Sequence, residues 1–89
     1  MEPVARMDLW ERQTRAIKMI DVIARRAADR HGLTLPMLIG RSRCRKIVQA
    51  RHEAMVEAVR AGYGTAATGR YFDRDHTTVI HALKKLKAI

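Results

Sequence analysis

Apolar residues recur at helical spacing along most of this chain, and glycines divide the pattern into segments. From Val4 to His31 there is neither glycine nor proline, and Leu9, Ala16, Ile17, Ile20, Ile23, Ala24 and Ala27 fall on one arc of a helix. The spacing predicts one long helix, with a break near Gln13 as the alternative. Its end is marked by His31-Gly32, a basic last turn followed by a glycine cap. Trp10 flanks the stripe, while Met19 and Val22 lie off it and form a second apolar surface, read either as scattered surface residues or as a self-association face.

Thr34 is placed to cap a short helix through Leu35, Pro36, Met37, Leu38 and Ile39, because proline is tolerated in a first helical turn, and Gly40 stops it. A second long helix is expected from about Ile47 to Ala61, apolar at Ile47, Val48, Met55, Val56 and Val59, with Glu53, Glu57 and Arg60 on its solvent side. Beyond Gly62, a short helix from about Thr65 to Tyr71 and a tight turn through Asp73 lead into a final helix whose apolar positions are Val79, Ala82, Leu83 and Leu86. That is the outline of a helix-turn-helix. Gly69 would let two helix backbones approach closely, and Phe72 is the natural plug beneath the turn. No strand pattern or internal repeat appears. The expected fold is all-α: a small helical domain with a C-terminal helix-turn-helix behind a long N-terminal helix, divided into an extension over 1–14 and a DNA-binding domain over 15–89.

Charge sharpens this outline. The 89 residues hold 18 Lys plus Arg against 9 Asp plus Glu, a formal +9, so an acidic polymer is the first partner to consider. The excess is uneven: residues 1–33 carry 7 basic and 5 acidic side chains, residues 34–89 carry 11 and 4. The binding surface therefore belongs to the later part of the chain. Arg41, Arg43, Arg45 and Lys46 crowd a loop, and Arg51 follows one turn into the next helix with no acid in the interval. Flexible arginines beside a helix-turn-helix suit a narrow, electronegative minor groove. The single cysteine, Cys44, excludes an intramolecular disulfide; it is read as an inert thiol, with redox sensitivity beside its cationic neighbours as the alternative. No apolar run approaches a membrane span and no signal peptide is evident, so the expected compartment is the cytoplasm, at the nucleoid.

The last helix carries the candidate chemistry. Thr77, Thr78, His81, Lys84 and Lys85 fall on its outward side, and all donate hydrogen bonds or carry charge suited to phosphates and base edges. His76, in the first turn, is read as a base-edge contact and His81 as a phosphate contact; Thr77 offers a methyl and a hydroxyl to a base. Lys84 and Lys85 either steer the DNA backbone or oppose the negative helix terminus. Asp75 has two readings. It is the helix cap, or, if Asp73 caps, it accepts from a cytosine or adenine amino group. His76 and His81 are a poor separation for a shared metal ion, so neither metal nor cofactor is expected. No spacing of nucleophile, base or metal ligands suggests an enzyme.

The run Arg74-Asp75-His76-Thr77-Thr78-Val79-Ile80-His81-Ala82 closely resembles the signature of the C-terminal DNA-binding domain of the bacterial replication initiator DnaA, and the likeness extends over roughly residues 15 to 87. The resemblance implies a reader of short A/T-rich boxes in duplex DNA, with the helix-turn-helix in the major groove and a loop arginine in the neighbouring minor groove. It implies base contacts from Asp75, His76 and Thr77, with Thr78 at the backbone. Arg43, or else Arg41 or Arg45, would be the minor-groove arginine. Arg41, Arg45, Lys46, Arg51, Arg74, His81, Lys84 and Lys85 complete the expected backbone contacts.

The chain departs from that family in specific places. No G-x-x-x-x-G-K-[ST] phosphate loop is present, so ATP-dependent origin opening does not follow. Where the family usually has two glycines between the phenylalanine and the R-D-H core, this chain has Asp73 alone, and Thr65 and Thr68 replace larger apolar residues. The expected function is sequence-specific binding of double-stranded DNA that regulates transcription or replication. The alternative is an adaptor that binds a protein, or a second copy of itself, through Trp10, Met19 and Val22 of the long helix.

Overall fold

In the computed structural model, which describes residues 9–86 except for the side chains of Leu9, Trp10 and Gln13, the chain forms α1 (Leu9–Arg30), α2 (Leu35–Ile39), α3 (Arg45–Arg60), α4 (Gly64–Tyr71) and α5 (His76–Lys85). No strand occurs among the described residues. The expected all-α architecture is the observed one. The expected secondary surface at Trp10 and the start of the first helix before Leu9 lie outside the described residues.

The long helix runs unbroken through Gln13 and residue 15. Its apolar stripe, however, is not buried along its whole length. Ile20, Ile23, Ala24, Ala27 and Ala28 are buried, but Ile17 is 37% exposed. The earlier turns outrun the helices that cover the later ones, so periodicity alone overstates the core there. Met19 and Val22 are exposed, as their position off the stripe implies.

The core is a layer of small residues around a few large ones. Ala24 and Ala27 of α1, and Ala50, Ala54 and Ala58 of α3, share one buried cluster with Ile20, Leu38, Met55, Phe72 and Val79. Alanines at helix contacts let backbones approach closely, which suits an 89-residue chain with a modest supply of bulky side chains. Phe72 is completely buried and meets the Tyr71 ring edge-on at 5.0 Å. Thr68, also completely buried, satisfies its hydroxyl by donating to the Gly64 carbonyl at 2.7 Å, so a polar residue fills the space of an apolar one without an orphan donor.

Polar links pin the outer helices to this core. Tyr71 donates its hydroxyl to Asp21 at 2.5 Å, tying α4 to α1. The hydrogen bond from Arg25, and then that from Tyr71, hold the Asp21 carboxyl below its ordinary value. Across α1 and α3, Arg30 donates to Glu57 at 3.0 Å and His31 lies 2.9 Å from Glu53. Glu53 and Glu57 therefore pair across to α1 and its end while staying partly exposed.

Helices α1, α3 and α4 end in the same way. The amide of the second residue past the cap reaches back five positions: Leu33 to Ala28 at 2.8 Å, Tyr63 to Ala58 at 3.2 Å and Arg74 to Gly69 at 2.8 Å. This motif needs a left-handed residue just beyond the helix. Gly32 and Gly62 supply it for α1 and α3, with φ of 68° and 99°, whereas α4 uses Asp73 at φ 55°.

Candidate nucleic-acid interface

The helix-turn-helix is built from α4, the turn Phe72-Asp73-Arg74-Asp75 and α5. Gly69 decides how closely its halves meet. A Cβ there would stand 2.7 Å from the Arg74 carbonyl oxygen and 3.3 Å from the His76 nitrogen, so only glycine admits the start of α5 against α4. The left-handed Asp73 closes the end of α4 within one residue where the related pattern uses two glycines. Asp75 then caps α5 with its carboxylate, accepting from the Thr77 amide at 3.3 Å. The same Oδ1 atom lies 2.9 Å from His76 Nδ1. Of the two readings of Asp75, the cap is the geometry observed.

Beyond that cap, His76 and Thr77 are exposed in the first turn of α5, and Thr78 is half-buried. His81, Lys84 and Lys85 continue outward, while Val79, Ala82 and Leu83 fill the inner side. Leu86, expected on the inner stripe, is partly exposed and lines a groove instead.

The loop after α2 supplies the second cationic segment. Arg41, Arg43, Arg45 and Lys46 are exposed. Arg41 reaches Asp73 of the helix-turn-helix turn at 3.6 Å. Arg43 and Arg45 border an open groove of about 570 Å³ whose other side is Lys85 and Leu86, with Val48, Gln49 and His52 of α3 along its length. The loop and α5 thus share one cationic face. His52 and Gln49 belong to that face although the sequence pattern gave no reason to select them. Their neighbourhood depends on residues more than thirty positions later.

Two residues expected at the DNA backbone are placed differently. Arg51 is 5% exposed, with Nε donating to the Leu38 carbonyl at 2.7 Å and Nη2 to those of Gly40 at 3.0 Å and Ser42 at 3.3 Å. It holds the loop from inside, and the expected phosphate contact is corrected to that role. The signal was present in the sequence: Arg51 lies on the stripe of Ile47, Ala50, Ala54, Met55 and Ala58, where an outward cation would not be. Arg74 is half-buried and donates to the carbonyls of Ile39 at 3.2 Å, Phe72 at 2.6 Å and Gly40 at 2.7 Å. Its donors are also committed to the protein.

These guanidinium groups have no carboxylate at hydrogen-bond distance. What compensates them is the negative end of α2, whose last carbonyls point at both. Burial first, and then the charge of Arg74, lowers the Arg51 pKa from its ordinary value; burial and then Arg41 lower that of Arg74. Both stay charged, because an arginine starts far above neutral pH. Gly40 O accepts from both, so the basic loop and the recognition turn are fastened at one atom.

The family model of the bacterial DnaA protein helix-turn-helix matches residues 20–86. The chain belongs to that family. It is also 34% identical over 76 residues to the chromosomal replication initiator protein DnaA of Deinococcus radiodurans, an alignment covering 83% of this chain and 16% of that relative. No solved structure matches significantly. The matched segment contains the loop, α3, α4 and α5, so the DNA-binding helix-turn-helix inferred from the Arg74 to Ala82 run is the character of the family. Among the described residues, no group of metal-ligating side chains gathers and no helix is long and apolar enough to cross a membrane.

Proposed function

We propose that the chain is a sequence-specific reader of short, A/T-rich, initiator-like boxes in duplex DNA and regulates transcription or replication by occupying them. The observation that carries this reading is the exposed first turn of α5, with His76 and Thr77 projecting beyond the Asp75 cap, on a face continuous with Arg41, Arg43 and Arg45. In this reading α5 enters the major groove, where His76 and Thr77 meet base edges and Asp75 uses its free oxygen on a base amino group. One loop arginine, Arg43 foremost, enters the adjacent minor groove. Lys46, Thr78, His81, Lys84 and Lys85 lie along the backbone. The name of the Deinococcus relative, a replication initiator, supports a role at replication.

Thr77→Ala or His76→Ala is expected to weaken binding to a selected box by about 1 to 3 kcal/mol while leaving binding to random duplex nearly unchanged. Box sequences come from selection out of a random duplex library, and affinities from titration at fixed salt. Equal losses on both duplexes would sink the recognition-helix assignment.

A second reading is favoured by the exposed Ile17, Met19 and Val22 on α1. In it the chain is an adaptor for a protein or for a second copy. Replacing Met19 and Val22 by polar residues separates the two: loss of a partner with DNA binding intact supports the adaptor.

A further inference from the structure

The groove between the basic loop and the end of α5 has an unusual occupant. Arg43 and Arg45 stand on one side and Lys85 on the other, and His52 of α3 lies half-buried among them, with Val48 and Leu86 as apolar walls. The groups that disfavour a proton on His52 come from three parts of the fold: Lys85 and His81 from α5, Arg51 from α3 and Arg74 from the helix-turn-helix turn. No acid lines the groove, and Glu53 pairs with His31, Glu57 with Arg30 and Asp73 with Arg41. An imidazole in such a place resists a proton. An anion entering the groove would reverse that, because it is attracted by the bordering cations and offsets their repulsion on the ring.

We propose that this groove is a phosphate subsite in which a phosphate of the DNA backbone enters between Arg43, Arg45 and Lys85 and His52 takes up a proton from solvent to donate to it. The inference rests on the duplex-DNA reading and adds to it a contact residue, His52, and a proton as co-ligand. Burial first, and then the positive charges of Lys85, Arg51 and Arg74 with the neighbouring His81, hold His52 below its ordinary pKa in the free protein. The ring is therefore neutral at neutral pH before DNA arrives. A group whose pKa rises on binding strengthens the complex as pH falls through the bound-state value, and the gain levels off below the free-state value. Each unit of rise corresponds to about a tenfold gain in affinity at the acidic plateau. DNA affinity is thus sensitive to pH within the range where imidazoles titrate.

The test uses the full 89-residue chain with isotope-labelled histidines, followed by NMR from about pH 5 to about pH 8. Spectra are taken free, with a bound duplex, with inorganic phosphate and with chloride at the same ionic strength. Affinities of the wild type and His52→Gln are measured over the same range; the difference between them removes the contributions of His31, His76 and His81. The expected result is a His52 midpoint that rises in the duplex complex, and a wild-type affinity that climbs about tenfold per unit of that rise as pH falls. His52→Gln should bind at neutral pH and lack that part of the pH dependence. A duplex that binds while the His52 midpoint stays fixed overturns the proposal, as does a variant that keeps the whole pH dependence. A rise with inorganic phosphate but not with a duplex that binds overturns the backbone as the source. If no duplex binds, the functional reading fails by itself. In that case a midpoint that rises with phosphate and not with chloride upholds an anion subsite, and one fixed in both overturns it.

Discussion

Arg51 and Arg74 carry the same guanidinium as Arg43 and Arg45, and all four lie within the segment that matches the family, yet one pair faces inward and the other faces water. The difference comes from what each finds within reach. Arg51 rises from the apolar side of α3 against the exposed carbonyls at the end of α2, and Arg74 approaches the same carbonyls from the turn before α5. Arg43 and Arg45 have no such acceptors; they border the groove with Lys85 and keep their donors available. A positive charge in this chain is thus structural or interfacial according to whether a helix C-terminus stands opposite it. Counting cations along the sequence overstates the number available for DNA.

The sharpest way to break this contrast is a pair of substitutions. Arg51→Leu keeps the apolar stem but strands the carbonyls of Leu38, Gly40 and Ser42, and is expected to cost about 3 kcal/mol of folding stability. Arg43→Ala should change stability by less than about 0.5 kcal/mol and instead weaken duplex binding, most at A/T-rich flanks. Urea denaturation measures the first effect and titration the second. If the two variants lose similar stability, the inward and outward classes collapse into one.

Arg74→Ala comes next, with an expected loss of about 2 kcal/mol, because its donors bridge the turn to the end of α2. Arg74→Lys should recover little of it, since one ammonium cannot span the carbonyls of Ile39, Phe72 and Gly40 as a planar fork does. The salt dependence of DNA binding decides its role. If Arg74 is structural, the slope of log affinity against log salt stays as in the wild type; a slope shallower by about one would return Arg74 to the phosphate contacts.

The sequence carried the helices and most of the exposed face, and the places where it misled have physical causes. Stripes on α3 and α5 were legible up to Leu86, which lines the groove instead; the same arithmetic failed at Ile17 on α1, 37% exposed. Gly69 and Phe72 could be read because each has a side-chain size that only a close turn requires. Arg51 was misplaced because its basic neighbours in sequence outweighed its register on the apolar stripe. His52 was invisible for a different reason: nothing within one helical turn distinguishes it, and its surroundings are made by Lys85 and His81 after the chain has folded back. Contacts made by topology rather than by spacing are the ones a pattern does not hold.

The smallest expected effect concerns the acid that stands between the two classes of cation. Asp73 has a positive φ of 55° at the end of α4, where α1 and α3 use glycine, and its carboxylate lies 3.6 Å from Arg41 with side chains 91% and 89% exposed. An ion pair so open to water contributes little, so backbone conformation should dominate. Asp73→Gly relieves the left-handed conformation and is expected to stabilise the fold by about 0.5 kcal/mol, the relief being partly offset by the greater freedom of glycine in the unfolded chain. It also removes a negative charge beside the loop, so duplex affinity should rise modestly at low salt and converge with the wild type at high salt. Thermal denaturation and a salt series measure the two effects. A variant less stable than the wild type would mean that the Arg41–Asp73 pair holds the loop from outside, as Arg51 and Arg74 hold it from within.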